Sequence, residues 1–432
     1  MSMKFVTRIV IAFLTTAFWG YQAEATDTSG MYAGHPLDLG FTQTHYGASN
    51  YHQNSSWLNL GFWAEAGLYL NFHGNSLKKN GGGGHLPAQR YYYASGNTAF
   101  LGNLHSTNIN LNQVGVFLEK KLADNGFNWG FKTQMLFGTD AYLTQSYSDS
   151  SMKHLSRTGD YYLSFSDLYL TLGNNNLGVR IGKFVSPLSY EHVESPNNFF
   201  YSHSYGFLQA PNTHTGLMLD YQPDHYISFF AGVTTGSDSG WSNRFGDSAC
   251  LAGIRYKPWD DAALSYAFQY ERIHGGFHKQ EPHYTKHHGY LFDGEDLNAY
   301  YHSVVFTQKF EDWNYAAEWY LLKTLNHSDD LVLWGYKPFS CYGISQYLTY
   351  QMNSKLGVGV RAEWRRETLG RYNNLELTFG TNWTPRQHLV VRPEIRCDWL
   401  CGKGSWGYRY RFFNNGKSSE QFTFGVAVMY KY

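Results

Sequence analysis

Between Leu58 and Phe72 the chain alternates without a break for fifteen residues. Leu58, Leu60, Phe62, Ala64, Ala66, Leu68, Leu70 and Phe72 share one parity; Asn59, Gly61, Trp63, Glu65, Gly67, Tyr69 and Asn71 share the other. A period of two is the side-chain repeat of a β-strand. One face is wholly apolar; the other is polar, small or amphipathic. Strands in soluble domains run about 5–6 residues. A tilted strand that crosses a bilayer needs about 9–11, plus its ends.

The pattern recurs along the chain. Phe127, Trp129, Phe131, Met135 and Phe137 oppose Asn128, Lys132 and Gln134. Leu217, Leu219 and Tyr221 oppose Gly216 and Asp220, and Leu264, Tyr266, Phe268 and Tyr270 oppose Ser265, Gln269 and Glu271. Later stretches place Trp319 against Glu318, Trp364 against Glu363, Leu377 against Glu376 and Ile395 against Glu394. The connections alternate as well. Short turns at 123–126, 174–176, 222–224, 257–260, 311–312, 353–354 and 385–386 are built from turn residues. Longer polar loops lie between them, at about 74–103, 139–159, 186–212, 236–246, 275–296, 326–339, 368–372 and 402–419. Every backbone amide in hydrocarbon must be paired, so an open sheet cannot span a membrane. The expectation is an all-β fold: a transmembrane antiparallel up-and-down β-barrel of about sixteen strands, over 57–432. Trp57, Trp129, Tyr221, Tyr226, Trp313, Trp383 and Tyr430 suit its interfacial girdles.

Composition agrees. Aromatic residues make up 18% and charged residues 16%, with mean hydropathy −0.45. That is too polar for a helical membrane protein. Lys+Arg and Asp+Glu both number 34, which removes the basic-surface argument for nucleic acid. Lys4 and Arg8, the apolar run 9–19 and Ala23-Glu24-Ala25 read as a signal peptide over 1–25. Residues 26–56 are expected to be a periplasmic or lumenal segment, too short for a plug domain. The last strand sets Phe422, Phe424, Val426, Val428, Tyr430 and Tyr432 on one face and ends on an aromatic. This resembles the C-terminal signal read by the barrel assembly machinery, with Tyr in place of the commoner Phe. The outer membrane, with its lipids around the barrel, is therefore the expected location. Cys397 and Cys401 share a parity and could pair only if the chain bends between them.

Parity places Arg180, Arg361, Glu363, Arg365, Arg392, Glu394, Arg396 and Asp398 inside. About sixteen strands leave an aqueous lumen, so these residues are the expected pore lining. Opposed basic and acidic walls would orient dipolar solutes; the same charges also serve as cross-strand pairs. The late arginines point to a weak anion preference. No G-x-S-x-G elbow is present, so no enzyme is expected. The histidines at 274, 278, 283, 287 and 288 read as a solvated loop rather than a metal site, and Gly81–Gly84 lacks the Lys-Ser/Thr of a phosphate loop. No cofactor is expected.

From Gly182 to Tyr221 the sequence is GKFVSPLSYEHVESPNNFFYSHSYGFLQAPNTHTGLMLDY. Gly182-Lys183-Phe184, Pro187, Tyr190, Glu194-Ser195-Pro196, Asn198, Phe200-Tyr201-Ser202 and His214-Thr215-Gly216 resemble the OmpL-like β-barrel porin family of Gram-negative outer membranes. Asp167 to Tyr169 fits too. The resemblance implies a channel for passive diffusion of small hydrophilic solutes, with no catalytic or metal residues. By analogy with general porins, 186–212 is the expected constriction loop, with Glu191, His192 and Glu194 facing the late arginines. Trimers are typical of such porins, so a homotrimer is a further expectation. The competing reading is a barrel plugged by its loops that displays adhesive or receptor surfaces.

Overall fold

The computed structural model describes residues 58–72, 109–122, 126–146, 161–174, 176–240, 247–273, 297–325, 340–368, 372–402, 413 and 418–432. The expected signal peptide, residues 26–56, Trp57, Gly81–Gly84 and the His-rich loop lie outside them.

Sixteen strands form one closed antiparallel barrel. They are β1 Asn59–Asn71, β2 Ile109–Lys120, β3 Asn128–Gly138, β4 Tyr162–Gly173, β5 Leu177–Val185, β6 Thr213–Tyr221, β7 Ile227–Ser237 and β8 Ser248–Trp259. Then follow β9 Ala262–Ile273, β10 Leu297–Phe310, β11 Trp313–Thr324, β12 Ser340–Asn353, β13 Leu356–Glu367, β14 Tyr372–Arg386, β15 Leu389–Gly402 and β16 Glu420–Lys431. Each strand pairs with its chain neighbours, and β16 closes on β1 from Trp63↔Lys431 to Asn71↔Thr423. Closure extends to the last residue: Tyr432 donates to the Phe62 carbonyl at 2.8 Å and accepts from its amide at 3.0 Å. No ladder edge is left unpaired, as a spanning sheet requires. No helix among the described residues is long and apolar enough to cross a membrane.

The alternating faces sort as expected. Leu60, Phe127, Leu217, Leu264, Phe379 and Val428 are exposed on the outer wall. Trp129, Tyr221, Tyr226, Trp313, Trp383 and Tyr430 are exposed near the short-turn end and form an aromatic girdle there. The short turns are held by their own side chains. Asp224 Oδ1 accepts from the amides of Tyr226 (2.8 Å) and Ile227 (3.0 Å). Asn174 Oδ1 does the same for Asn176 and Leu177, at 2.9 and 3.0 Å.

Two turns sit slightly further along than their prolines suggested. Pro258 and Pro385 lie inside β8 and β14, where the register shifts between Tyr256 and Trp259 and between Trp383 and Arg386. A bulge leaves one amide out of the ladder, so proline is tolerated there. Cys397 and Cys401 are free thiols on the unbroken strand β15. Extended backbone holds residues four apart at about 13 Å, so they do not pair.

Gly182 and Gly216 face each other across β5 and β6 at the root of loop 186–212. Gly182 has φ +144°, and a Cβ on it would lie 2.3 Å from the Leu168 carbonyl oxygen and 2.6 Å from Tyr169 Cα. Backbone cannot yield as a side-chain tip can. Gly182→Val is expected to cost about 2–3 kcal/mol, read as a lower urea midpoint for the refolded barrel; an unchanged midpoint would refute the close-approach argument.

Candidate functional site

Loop 186–212 leaves β5 and returns to β6 through one neck. The Ser186 amide donates to the Asn212 carbonyl at 2.9 Å. Asp238, at φ +50°, caps the return strand: its Oδ1 accepts from the amides of Asn212 (3.1 Å) and Thr213 (2.9 Å). Between these anchors the loop runs inside the barrel. Pro196 sets a 3-10 turn at Ser195–Asn197. Asn198 braces it, accepting from the His192 amide at 2.9 Å and donating to the His192 carbonyl at 2.6 Å. Ser204 then caps a short helix, α1 (Tyr205–Gln209), by accepting from the Phe207 amide at 3.1 Å.

The late strands grip this loop mostly by its backbone. Arg361 Nη1 donates to the Ser202 carbonyl (2.6 Å) and to Glu191 Oε1 (2.9 Å), its Nη2 to Ser202 Oγ (2.8 Å), and its Nε to Glu376 Oε2 (3.1 Å). Arg392 Nη1 reaches the carbonyls of Ser195 (2.9 Å) and Asn198 (3.0 Å) and pairs through Nη2 with Glu65. Arg396 donates to the His203 carbonyl at 2.6 Å and pairs with Asp398 at 2.9 Å. The acids hold the amides. Glu394 accepts from Tyr201 (2.9 Å) and Ser202 (3.1 Å), and also bonds the Tyr69 hydroxyl. Glu363 accepts from the first amides of α1, Tyr205 at 2.6 Å and Gly206 at 2.8 Å, which suits the positive end of a helix. Asp398 takes the Tyr205 hydroxyl at 2.6 Å. Arg365 bonds Gln209, Asn374 and the Cys341 sulfur.

Seven of the eight expected lining residues thus converge on the loop. Arg180 is inside but apart, in a two-bond pair with Asp220 at 2.6 and 2.7 Å. All eight are buried, from 0% exposure for Arg361 and Arg396 to 8% for Arg180. Of the three loop residues, Glu191 sits directly on Arg361. It also binds the His203 ring (2.8 Å), the Ser204 amide (3.0 Å) and the Tyr347 hydroxyl (2.9 Å). Glu194 meets Gln134 of β3, and so reaches the early wall rather than the late arginines. His192 is half-buried beside Asn198.

Burial would push the Glu191 carboxyl up. The Arg361 guanidinium, the His203 bond and charge, and the Ser204 amide outweigh it and hold the group down to about 2. Burial, then the charge of Asp398, raises the Tyr205 hydroxyl well above its ordinary value, so it stays a donor. Parity had already set Glu376 and Gln134 on the polar faces of their strands, whereas other members of the clamp escaped the sequence reading. Gln113 was open to it as an inward polar residue. Tyr69 lay on a face read as polar, small or amphipathic and Tyr347 was not singled out; their hydroxyl partners, Glu394 and Glu191, define them. Tyr69 stacks on Tyr201 with ring centroids 4.6 Å apart. Gln113 of β2 donates to the Val193 carbonyl (2.7 Å) and accepts from the Ser195 amide (3.1 Å).

A sixteen-stranded closed barrel with its third long loop folded into a polar lumen defines an outer-membrane porin. The family described as "Putative beta-barrel porin-2, OmpL-like" matches residues 59–432. The chain belongs to that family. Among solved structures it is similar to OmpT of Vibrio cholerae in its trimer form, with 12% identity, TM-score 0.53, 87% of this chain covered and 99% of that one. It is also similar to the DcaP channel of Acinetobacter baumannii (13%, TM-score 0.54, 87% and 97%) and to an anion-selective porin from Comamonas acidovorans (8%, 0.55, 87% and 99%). At such identities these likenesses concern the fold. A comparison with curated proteins finds no match.

Proposed function

We propose that the chain is exported through the signal peptide 1–25, inserted by the barrel assembly machinery, and forms a water-filled channel for passive diffusion of small hydrophilic solutes. Loop 186–212 sets the constriction. The supporting observation is the clamp: a loop tied at many points across its length can hold a fixed aperture, whereas a loose one would wander through the lumen. Homotrimers are part of the proposal, prompted by the trimeric OmpT relative.

The weak anion preference would have to come from Arg361, Arg365, Arg392 and Arg396. Each guanidinium is engaged by loop carbonyls, carboxylates or neutral acceptors, so we expect little charge selectivity while the loop is seated. Deleting 189–204 removes Glu191 and Glu194 and uncovers three of these guanidiniums. Single-channel conductance in planar bilayers should then rise severalfold, and the reversal potential should move toward chloride. No change in either would sink the constriction reading. One observation favours the competing reading of a plugged barrel: inward side chains along β11 to β16 are almost all buried. Correctly folded wild-type protein that carries no current would decide for it.

A further inference from the structure

The outer wall carries a charge pattern of its own. Lys323 on β11 and Arg366 on β13 point away from the lumen, with the parity of Trp319 and Trp364. Each stands ten residues beyond the first residue of its strand, Trp313 and Leu356. Arg272 stands ten beyond Ala262 on β9 and is exposed on the same face. All three strands begin at short turns, so equal counts place the cations at one height above that rim. Ten residues of extended chain, tilted about 35–45°, rise about 25 Å. That is the height of a barrel's apolar band. The cations therefore mark its upper border on three successive rising strands, about 10 Å apart across the sheet. On β1, β3, β7 and β15 the last outward side chains are Leu70, Phe137, Thr235 and Cys401, all uncharged. Lys183 on β5 is buried and donates to the Thr144 carbonyl at 2.6 Å. The outward charge is thus confined to one sector.

The Lys323 ammonium lies 5.8 Å from the centre of the Tyr300 ring, and neither it nor Arg366 has an acidic partner among the described residues. Their cross-strand neighbours are neutral: Tyr300 and Ser340 for Lys323, Tyr342 and Asn373 for Arg366. No acidic side chain points outward from strands β9–β14. Cations on long stems at the edge of hydrocarbon attract anions of the interface. Beneath them the wall is aromatic. Tyr266 and Trp319 are 39% and 40% exposed, and Trp364 packs edge-on against Tyr342 with ring centroids 5.7 Å apart. The sector joins a cationic rim to an apolar bed, which complements the two halves of an anionic lipid. A second copy of the chain fits less well, because Glu420 is the sole outward carboxylate on the described strands.

We propose that the outer wall of β11–β13 binds a phosphorylated lipid, with phosphate on Lys323 and Arg366 and acyl chains along the aromatic bed. This rests on the outer-membrane location with the long loops facing outside, and not on conduction. The test is native mass spectrometry of the full chain, refolded lipid-free in detergent, with bisphosphorylated lipid A as the probe. Wild type should retain the lipid. Lys323→Gln combined with Arg366→Gln should weaken binding about tenfold or more. Lys323→Arg combined with Arg366→Lys keeps both charges and should retain it. Lys355→Gln, in an exposed short turn at the opposite end, should leave binding unchanged. Phosphatidylethanolamine, which has no net charge, should compete poorly, and excess inorganic phosphate, which has no chains, should not displace the lipid. If the double Gln variant does not fold, either single Gln variant carries the test and should weaken binding about threefold or more. No adduct with wild type, equal retention of phosphatidylethanolamine, displacement by inorganic phosphate, or unchanged affinity in the folded Gln variants would overturn the proposal. So would an equal loss in Lys355→Gln or in the charge-keeping pair. An oligomer without lipid that the double Gln variant loses would assign the sector to a second copy instead. Because lipid and not current is read, a barrel that carries no current leaves this result standing.

Discussion

Arg361→Ala is expected to free loop 186–212 while leaving the barrel closed, with a severalfold rise in single-channel conductance. The guanidinium is fully buried and holds four acceptors: Glu191, Glu376, and the carbonyl and hydroxyl of Ser202. Truncation strands two carboxylates in the interior. Breaking a buried pair in this way costs about 3–5 kcal/mol. The cost falls where the structure can yield. Sixteen mutually paired strands resist together, whereas the loop can relieve the two acids by lifting into water. Arg361→Lys should fall between, because an ammonium cannot present the planar fork that serves carboxylate and carbonyl at once. Adding Glu191→Gln to Arg361→Ala should cost less than the two single losses summed, since the second change removes one stranded charge. The measurements are conductance in planar bilayers and the rate of proteolytic cleavage within 190–204. Wild-type values in both for Arg361→Ala would show that this contact does not hold the loop.

The barrel was legible because its physics repeats every two residues. Leu58 to Phe72 needs only one face in lipid and one inside, and the same rule covers every later strand down to Tyr432. Parity also brought Arg361, Glu363, Arg392, Glu394, Arg396 and Asp398 indoors. Their partners were not legible. Arg392 and Arg396 bind carbonyls of Ser195, Asn198 and His203, and Glu363 and Glu394 bind amides of 201–206. Backbone groups are the same at every residue and leave no mark in composition. What the sequence did offer was indirect: Pro196 and Asn198 stiffen the loop, and a stiff loop can present its backbone to fixed donors. The apparent turns at Pro258 and Pro385 failed for a related reason. Proline signals a missing amide, and a bulge uses that as well as a turn does.

Acidification should open the channel well below the pH at which ordinary carboxylates titrate. Glu191 lies outside the strands, at the centre of the clamp. Burial favours its neutral form, but Arg361, His203 and the Ser204 amide hold its folded-state value to about 2, against 4.5 for the free group. A depressed carboxyl contributes its stabilisation fully above the unfolded value and loses it as pH falls through the folded one. The contribution here is of order 3 kcal/mol. It is intact at pH 5, declines below about 4.5 and is gone near pH 2. Protonation leaves the Arg361 guanidinium with Glu376 and the two Ser202 oxygens, and puts a neutral acid where the Ser204 amide had a charged acceptor. The loop then loses its charged contact with β13 and is held there by the bonds of Arg361 to Ser202 and of Glu363 to the α1 amides. Conductance recorded from pH 7 to 2 should stay flat to about pH 4 and climb steeply below pH 3. Glu191→Gln should remove that step and conduct at the higher level throughout, because the amide cannot supply the charge that Arg361 requires. A midpoint between pH 4 and 5, or an undiminished step in Glu191→Gln, would mean that some other carboxylate controls the aperture.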